Sequence, residues 1–426
     1  MQTLATVKQD FPILGRTVRN GKPLTYLDSA ATAQRPTRVL DAVAEFERAH
    51  NGAVGRGAHM LAEEATEAFE TARESVARLV GAREAREIVW TENATAAINL
   101  VASGIGNASQ GIGGEASAGF RVGPGDSIVV TEAEHHANFV PWQQLAARTG
   151  ATLRWIEVDD DGRLILDQLN SVIDGSTKVI AFTHASNVTG IITDVAPVVA
   201  RAREVGALTF LDACQSVPHI PVDFAALGVD FAAFSGHKML GPTGIGALWG
   251  RGELLDALPP SIFGGGAVRT VTLEGTTWHP APTRFEAGTQ PVAQAVGMGV
   301  AADYLMEIGM GTVAAHERRI GHILREGAAA LPGVRLLGPV GDPDQQDVLG
   351  LAAVVVEGVH AHDVGQVLDD AGVAVRVGHH CAQPLHRHFG VASSARASSH
   401  IYTTEEDAHL FVDVLGTVRD FFGVGA

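Results

Sequence analysis

The stretch LTFLDACQSVPHIPVDFAALGVDFAAFSGHK, residues 208–238, decides the fold. Two short apolar runs, Leu208–Leu211 and Phe231–Phe234, flank a helical pattern at Phe224–Leu227. A strand, a helix and a second strand in this order predict two parallel strands joined by a crossover. Polar residues follow both runs, beginning with Asp212 after the first. Because ligands bind beyond the carboxyl ends of strands in open α/β sheets, we expect a site at this edge.

The same alternation continues on the amino-terminal side of this stretch. The predicted strands there are Glu87–Trp90, Ser127–Thr131, Leu153–Glu157 and Val179–Thr183. The predicted helices are Glu63–Val80, Thr95–Ala102, Trp142–Arg148 and Val195–Val205. This order predicts an α/β protein with a mostly parallel sheet covered by helices on both faces. Residues Gly104–Gly123, rich in Gly, Ser and Ala and without periodicity, are predicted to form a mobile surface insertion.

The pattern changes after the glycine-rich residues Gly264–Gly266. The later predicted elements are helices at Val292–Ile308 and Val313–Leu331 and strands near Leu351–Val356 and Val373–Val377. A chain of 426 residues is long enough for two domains. We predict a large domain over residues 21–300 and a smaller α+β domain over residues 301–426. Residues 1–20 could pack on either domain, and we assign them to the small one.

Composition excludes several classes of function. Hydrophobic residues make up 46% and charged residues 19%, as in soluble globular proteins. A net charge of −17 argues against nucleic acid as a partner, because phosphate binding needs a surplus of Lys and Arg. No segment resembles a membrane span or a signal peptide. The only cysteines, Cys214 and Cys381, are too few for a disulfide framework, so we expect a cytoplasmic protein.

Three groups with complementary chemistry follow predicted strands: the amine of Lys238, the carboxylate of Asp212 and the hydroxyl of Thr95. Each alone has a structural explanation, since lysines are usually at the surface and Asp or Thr at a helix start is usually a cap. Together they suit a cofactor held through a lysine, with a carboxylate at its pyridine nitrogen and a helix N-terminus at its phosphate. Other polar residues after predicted strands are Gln215, His135, His136 and Asn187.

A second cluster of reactive residues surrounds Cys381, in the segment RVGHHCAQP at 376–384. A loop cysteine near His and Arg is placed to react as a thiolate. A metal or sulfur scaffold using His379, His380, Cys381 and His386 is the alternative, although this spacing matches no usual zinc pattern. Arg396 could form a fork on a substrate carboxylate. Cys214, beside an apolar strand, is predicted to be a small buried residue.

Several of these segments resemble the SUF-type (group II) cysteine desulfurases. These segments are EHHAN at 134–138, FSGHK at 234–238, RFEAGT at 284–289 and RVGHHC at 376–381, with DSAA at 28–31 and Arg56-Gly57 with His59. That family belongs to the class V aminotransferase-like, fold-type I pyridoxal-phosphate enzymes. The resemblance implies a large domain with a mostly parallel seven-stranded sheet and a smaller α+β domain.

The resemblance also implies roles for individual residues. The site for pyridoxal 5'-phosphate would be formed by Lys238, Asp212, Gln215, Thr95, Ala94, Asn187, Ser235, His237, His135 and, from a second subunit, Thr289. Lys238 would bind the cofactor covalently and move protons, His135 would stack on its ring, and Cys381 would receive sulfur. Arg396, Arg376 and Asn187 would bind the substrate. Ala94 stands where the family often has a threonine, so one hydroxyl contact is lost.

The activity implied is conversion of L-cysteine to L-alanine with a persulfide formed on Cys381. A homodimer is expected, and the sulfur would pass to a SufU- or SufE-like acceptor protein of the SUF system for iron–sulfur cluster assembly. A selenocysteine lyase and a class V aminotransferase are the alternatives among enzymes. The metal or sulfur scaffold is the alternative from another class. We expect neither nucleic acid nor a membrane as a partner.

Overall fold

The computed structural model describes residues 4–55, 57–340 and 347–424, so Arg56, part of the resemblance above, lies outside the described residues. The strands are β1 Thr25–Tyr26, β2 Ile88–Thr91, β3 Ser127–Thr131, β4 Thr152–Ile156, β5 Thr177–Thr183, β6 Leu208–Asp212, β7 Phe231–Ser235, β8 Gly246–Gly250, β9 Val268–Val271, β10 Thr276–Trp278, β11 Val334–Leu337, β12 Leu351–Val356, β13 Val373–Ala374, β14 Arg376–Gly378 and β15 Ser394–Ser398. The helices are α1 Leu4–Val7, α2 Thr37–Glu45, α3 Met60–Leu79, α4 Ala94–Ser109, α5 His136–Thr149, α6 Leu169–Val172, α7 Val195–Val205, α8 Phe224–Leu227, α9 Gly252–Ala257, α10 Val292–Ile308, α11 Met310–Ala329, α12 Ala361–Asp370, α13 Gln383–His388 and α14 Glu405–Phe421.

Seven strands form the large sheet, in the order β2-β8-β7-β6-β5-β3-β4. Strands β7, β6, β5, β3 and β4 are parallel to one another, and β8 runs antiparallel to both β2 and β7. The predicted mostly parallel sheet is therefore confirmed, and the predicted strands lie within a few residues of the observed ones. Strand β8 was not predicted, because its sequence GALWG is short and begins and ends with glycine.

Helices bury both faces of this sheet. Along β5, Ile180 and Phe182 belong to one apolar cluster, which includes residues of α3, α7 and α10. Val179 and Ala181 belong to a second cluster, which includes residues of α4 and α5. Successive side chains of a strand point to opposite faces, so an apolar run without alternation fits a strand that is buried on both sides.

The prediction of a surface insertion at Gly104–Gly123 is wrong for both ends of the segment, although residues 111–116 between them are exposed. The first six residues continue α4, and Gly114–Phe120 form a 3₁₀ helix. Phe120 is buried in the core, and the Ser117 hydroxyl donates to the Ala257 carbonyl at 2.6 Å. Gly104 lies so close to the segment after α9 that a Cβ there would stand 2.9 Å from the Leu258 side chain. Gly104 therefore allows two segments to pack closely. Composition alone does not distinguish a glycine required for close packing from a glycine in a loop.

The second part of the chain forms a four-stranded antiparallel sheet, β11-β12-β15-β14, packed against α11, α12 and α14. Near the amino terminus, Lys8 forms an ion pair with Asp407 at 2.7 Å, and β1 pairs with β13. Residue 300 lies inside α10, so the division at that residue stays a prediction. Among the described residues, no helix combines the length and apolar character required to cross a membrane.

Candidate active site

A cavity of about 400 Å³ opens where the parallel strands end. Thr183, Asp212 and Ser235, the last residues of β5, β6 and β7, all line it. The cavity brings together every predicted site residue except Thr289: Ala94, Thr95, His135, Asn187, Asp212, Gln215, Ser235, His237, Lys238, Arg376, Cys381 and Arg396. Thr289 is exposed and does not line this cavity.

The N-terminus of α4 forms one end of the cavity. Asn93 caps this helix by accepting the backbone N–H of Ala96 at 2.9 Å, and the N–H of Ala94 donates to the Ser235 hydroxyl at 2.9 Å. Thr95 and His237 line the same cavity. A 16-residue helix directs partial positive charge to its N-terminus, so this end of the cavity favours an anionic group such as phosphate. The Asn93 cap was not predicted from sequence.

Asp212 and Lys238 supply the charged groups of the cavity floor. The buried carboxylate of Asp212 accepts the N–H of Cys214 at 3.0 Å, and Lys238 ends the 3₁₀ turn that follows β7. Burial, followed by the charge of Asp212, raises the pKa of the Cys214 thiol far above its ordinary value, so this cysteine is a poor nucleophile. Gln215 donates to the Ala30 carbonyl at 2.9 Å, and its buried Oε1 has no partner among the described residues.

His135 is held as a neutral ring. Its Nδ1 accepts the N–H of Ala137 at 3.0 Å, which leaves the proton on Nε2. Burial and the nearby charge of Lys238 lower the pKa of His135 to about 3. A neutral, fixed imidazole beside the amine is suited to stacking on a planar ring.

Glu134, which was not among the predicted site residues, holds together the ends of β3 and β5 next to His135. Its carboxylate accepts hydrogen bonds from the Thr131 hydroxyl at 2.5 Å, the Thr183 N–H at 2.8 Å and the Asn138 amide at 2.6 Å. It therefore connects the ends of β3 and β5 with α5. Burial raises the pKa of Glu134 to about 8. Its place within EHHAN was the available signal, but a glutamate that faces inward cannot be recognised without the fold.

Arg396 places a buried guanidinium on the side of the cavity that it shares with Arg376 and Asp28. It donates to the Asn187 carbonyl at 2.7 Å, and its Nη2 lies 3.6 Å from the Asp28 carboxylate. Burial lowers the pKa of Arg396 to about 10, so the group stays charged at neutral pH. Arg376 is half-exposed, with Nη1 3.8 Å from Asp28. The two arginines give this side a surplus of positive charge, which suits a carboxylate.

Cys381 lies in a tight loop between β14 and α13. His380 and Cys381 both have left-handed backbones, with φ of 50° and 56°. The loop is attached to other segments: the Cys381 carbonyl accepts the His136 N–H at 2.6 Å, and the His380 carbonyl accepts the Asn187 amide at 2.7 Å. Cys381 lines the cavity together with Lys238. The thiol is thus carried on a constrained backbone at the cavity wall.

The predicted alternative of a metal scaffold is not supported by the geometry. His380 and His386 each place Nε2 against the Ser394 hydroxyl, at 2.9 and 3.1 Å. Within the described ranges, the one His, Cys, Asp and Glu group with ligand atoms inside 4.8 Å of one another is His219, Glu317 and His400. Glu317, His219 Nδ1 and His400 Nδ1 already have partners. Glu317 lies 3.1 Å from His219 Nδ1 and accepts the Ser399 hydroxyl at 2.5 Å, and His400 Nδ1 accepts the Ile401 N–H.

The class-V aminotransferase family model matches residues 25–411. The chain belongs to this family. A probable cysteine desulfurase 2 of Mycobacterium leprae is 54% identical over 99% of this chain and 97% of the relative. A probable cysteine desulfurase of Streptomyces coelicolor is 48% identical, covering 98% and 97%.

Solved structures of two cysteine desulfurases share the fold. The cysteine desulfurase CsdA of Escherichia coli has a TM-score of 0.87 at 35% identity, and the match covers 99% of both chains. The apo cysteine desulfurase of Thermococcus onnurineus NA1 has a TM-score of 0.90 at 35% identity, with the same coverage. The predicted fold class, a fold-type I enzyme with a mostly parallel seven-stranded sheet, is confirmed.

Proposed function

We propose that this protein is a pyridoxal-phosphate-dependent cysteine desulfurase that converts L-cysteine to L-alanine and holds the sulfur as a persulfide on Cys381. The observation that carries the proposal is one cavity lined by an amine, Lys238, a carboxylate, Asp212, a buried guanidinium, Arg396, and a thiol, Cys381. A transaminase needs the first three groups but has no use for the thiol. The names of the similar proteins agree with this choice.

The residues of the cavity fit pyridoxal 5'-phosphate. The α4 N-terminus with Thr95, Ser235 and His237 would hold the phosphate, and Ala94 contributes only its place in the first turn because its N–H already bonds Ser235. Asp212 would face the pyridine nitrogen. The Oε1 atom of Gln215 is buried without a hydrogen-bond partner among the described residues, so it could accept a hydrogen bond from the cofactor. When bound, this cofactor supplies the electron sink that makes loss of the α-proton feasible.

The chain's own residues account for binding, proton movement and sulfur capture. Arg396, assisted by Arg376, would bind the substrate carboxylate and orient the α-carbon towards Lys238, whose amine would move the proton. Asn187 is bonded both to Arg396 and to the backbone of His380, so it would hold the substrate-binding side against the cysteine loop. The Cys381 thiolate would form an S–S bond to the substrate sulfur as the bond from that sulfur to the β-carbon breaks.

Mass spectrometry after exposure to L-cysteine tests the proposal. The peptide that contains Cys381 should gain one sulfur in the wild type and none in Lys238→Ala, and alanine should be released. A wild-type protein that binds the cofactor but adds no sulfur to Cys381 would refute it. Cys381→Ala separates the proposed function from the two alternative enzymes. A cysteine desulfurase should lose turnover of cysteine. An aminotransferase would keep its activity, and a selenocysteine lyase would keep turnover of selenocysteine.

A homodimer is the proposed assembly. The hairpin β9–β10 and the preceding loop carry large apolar side chains that are mostly exposed in the single chain: Ile262, Phe263, Val271 and Leu273. Thr289, also exposed, would reach the phosphate in the partner's cavity. Mixing Lys238→Ala chains with Thr289→Ala chains tests this, because a heterodimer regains one intact cavity only if Thr289 acts across the interface. No gain over the separate variants would contradict the proposal.

We assign the protein, within the same proposal, to the SUF-type group, with a SufU- or SufE-like acceptor that takes the sulfur for iron–sulfur cluster assembly. Two free cysteines suit a reducing compartment, and we propose a cytoplasmic location. The proposed division into residues 1–20, 21–300 and 301–426 puts Lys238 and Cys381 in different domains. A pull-down with a purified acceptor, followed by transfer of labelled sulfur from Cys381, tests the assignment.

A further inference from the structure

A chain of buried hydrogen bonds lies behind Cys381, in the small sheet and its neighbouring helix. His386 Nδ1 lies 3.0 Å from the Ala382 carbonyl, and His386 Nε2 lies 3.1 Å from the Ser394 hydroxyl. The same hydroxyl lies 2.9 Å from His380 Nε2. All three side chains are at least nine-tenths buried. The proposed mechanism uses neither Ser394 nor His386, and His386 was predicted only as a ligand of the alternative metal scaffold.

The direction of every bond in this chain follows from its chemistry. A carbonyl only accepts, so His386 carries its proton on Nδ1 and presents a lone pair at Nε2. Burial lowers the pKa of both His380 and His386, so both rings are neutral. The single proton of Ser394 therefore goes to His386, and the Ser394 oxygen accepts the Nε2–H of His380. The opposite direction would need a doubly protonated His386.

The same assignment explains an otherwise isolated atom. With its proton on Nε2, His380 has only a lone pair at Nδ1, and this buried nitrogen has no partner within the described residues. The bond to Ser394 is thus the hydrogen bond that fixes the ring. A buried polar atom without a partner costs about 1–3 kcal/mol, so the unpartnered Nδ1 disfavours this position of the ring. The bond from Nε2 to Ser394 is the side-chain hydrogen bond that keeps the ring there.

The ring matters because of the backbone to which it is attached. His380 and Cys381 are consecutive left-handed residues that are not glycine, each costing about 1–2 kcal/mol. Such a conformation persists only where the surroundings impose it. The surroundings here are the Asn187 and His136 bonds to the two carbonyls and the Ser394 bond to the His380 ring. Without Ser394, the ring loses its anchor and the loop can relax.

Strand β15 joins this anchor to the buried arginine of the cavity. Ser394 and Arg396 are two residues apart on the strand, so their side chains point to the same face, while Ala395 and Ala397 face the helices. Ser394 also pairs with Gly378, the residue where β14 ends and the cysteine loop begins. One rigid strand therefore holds both the loop and the guanidinium.

We infer that Ser394 is a positioning residue for the Cys381 thiol, acting through the His380 ring, and that β15 sets the separation between this thiol and the guanidinium of Arg396. The link to sulfur capture rests on the proposed function. The link to the conformation of the loop does not.

Two measurements on Ser394→Ala test the inference. Persulfide formation on Cys381 from L-cysteine should fall by about 10- to 100-fold, the range that a displacement of about 1 Å produces. Alkylation of Cys381 by iodoacetamide in the enzyme without substrate should instead rise severalfold, because a relaxed loop exposes the thiol. A fall in persulfide formation together with a rise in alkylation indicates lost positioning of the thiol. Partial unfolding of the protein would also change the absorbance of the bound cofactor. Unchanged rates in both assays would overturn the inference.

Matched variants complete the test. Ser127→Ala removes another buried serine hydroxyl, at the far end of β3, and should change neither rate. Ser394→Thr keeps the hydroxyl and should restore both rates towards the wild type. His380→Asn keeps a residue that tolerates the left-handed backbone but cannot reach Ser394, and should match Ser394→Ala without altering β15. If Ser127→Ala shows the same losses, the inference fails. If Ser394→Ala alters alkylation while the wild type forms no persulfide, only the proposed function fails.

Discussion

Lys238 and Cys381 line the same cavity, but two different kinds of structure hold them there. Lys238 ends a short turn directly after β7, and Ser235 before it has an ordinary extended backbone with φ of −114°. Its position follows from the regular sheet. Cys381 sits on a left-handed backbone, and its loop is held by bonds from α5, from the loop after β5 and from β15. The amine needs only its own strand, whereas the thiol needs several distant segments at once.

Removing the amine should give the largest effect and leave the thiol region unaffected. We expect Lys238→Ala to reduce turnover of L-cysteine by at least about 10³-fold, because covalent attachment and the proton-moving group are lost together. Absorbance of the lysine-bound cofactor should disappear. Alkylation of Cys381 should stay at the wild-type rate, since no bond that holds its loop involves Lys238. Lys178→Ala, at a half-exposed lysine 3.7 Å from Asp126, is the control. A changed alkylation rate would show that the two regions are coupled.

Arg396 is attached to the cysteine loop through Asn187, and its replacement should have an intermediate effect. Arg396→Lys keeps the charge but loses the fork that donates to Asn187 and faces Asp28. We expect the KM for L-cysteine to rise by about tenfold or more, with a smaller fall in kcat from the loosened cysteine loop. Arg376→Lys, at a half-exposed position, should raise KM less. Equal effects of the two substitutions would contradict a special role for the buried arginine.

The smallest expected effect is on the pH dependence of stability. Burial is the first cause that lowers the pKa of several histidines, among them His135 to about 3, His184 to about 4, His237 to about 4, His380 to about 2 and His400 to about 3. Below the ordinary value of 6.5 the unfolded chain binds these protons and the folded chain does not. The free energy of unfolding contributed by each histidine therefore falls as the pH drops below 6.5, by up to about 1.4 kcal/mol per pH unit.

Urea unfolding at about pH 7.5 and about pH 5.5 measures this effect. His380→Asn should lose part of the acid-induced decrease in the free energy of unfolding that the wild type shows. His409→Asn, at an exposed histidine, should leave that decrease unchanged. Identical decreases in the wild type and in His380→Asn would show that the pKa of His380 is not lowered in the folded protein, which would contradict a neutral, buried His380 ring at low pH.

The sequence predicted the parts of the site that depend on regular periodicity. Asp212 and Lys238 follow apolar runs, and apolar runs that alternate with helices give parallel strands whose ends meet at one edge. The antiparallel strand β8 was missed because its five residues begin and end with glycine. Glu134 and Ser394 were missed for another reason: a glutamate or a serine has the same letter whether it is exposed or bonded inside the core.

The sequence by itself determined the fold class, and it predicted the edge of the sheet that carries the candidate site with its amine, carboxylate and thiol. These follow from local order, since a strand's direction and the residue after its end are properties of one segment. The tertiary structure alone decided how the thiol is held, which histidine tautomers occur and which buried glutamate fixes the strand ends. Those features depend on hydrogen bonds between residues far apart in the chain, such as His136 with Cys381 and Asn187 with His380, and only the packed molecule brings them within reach.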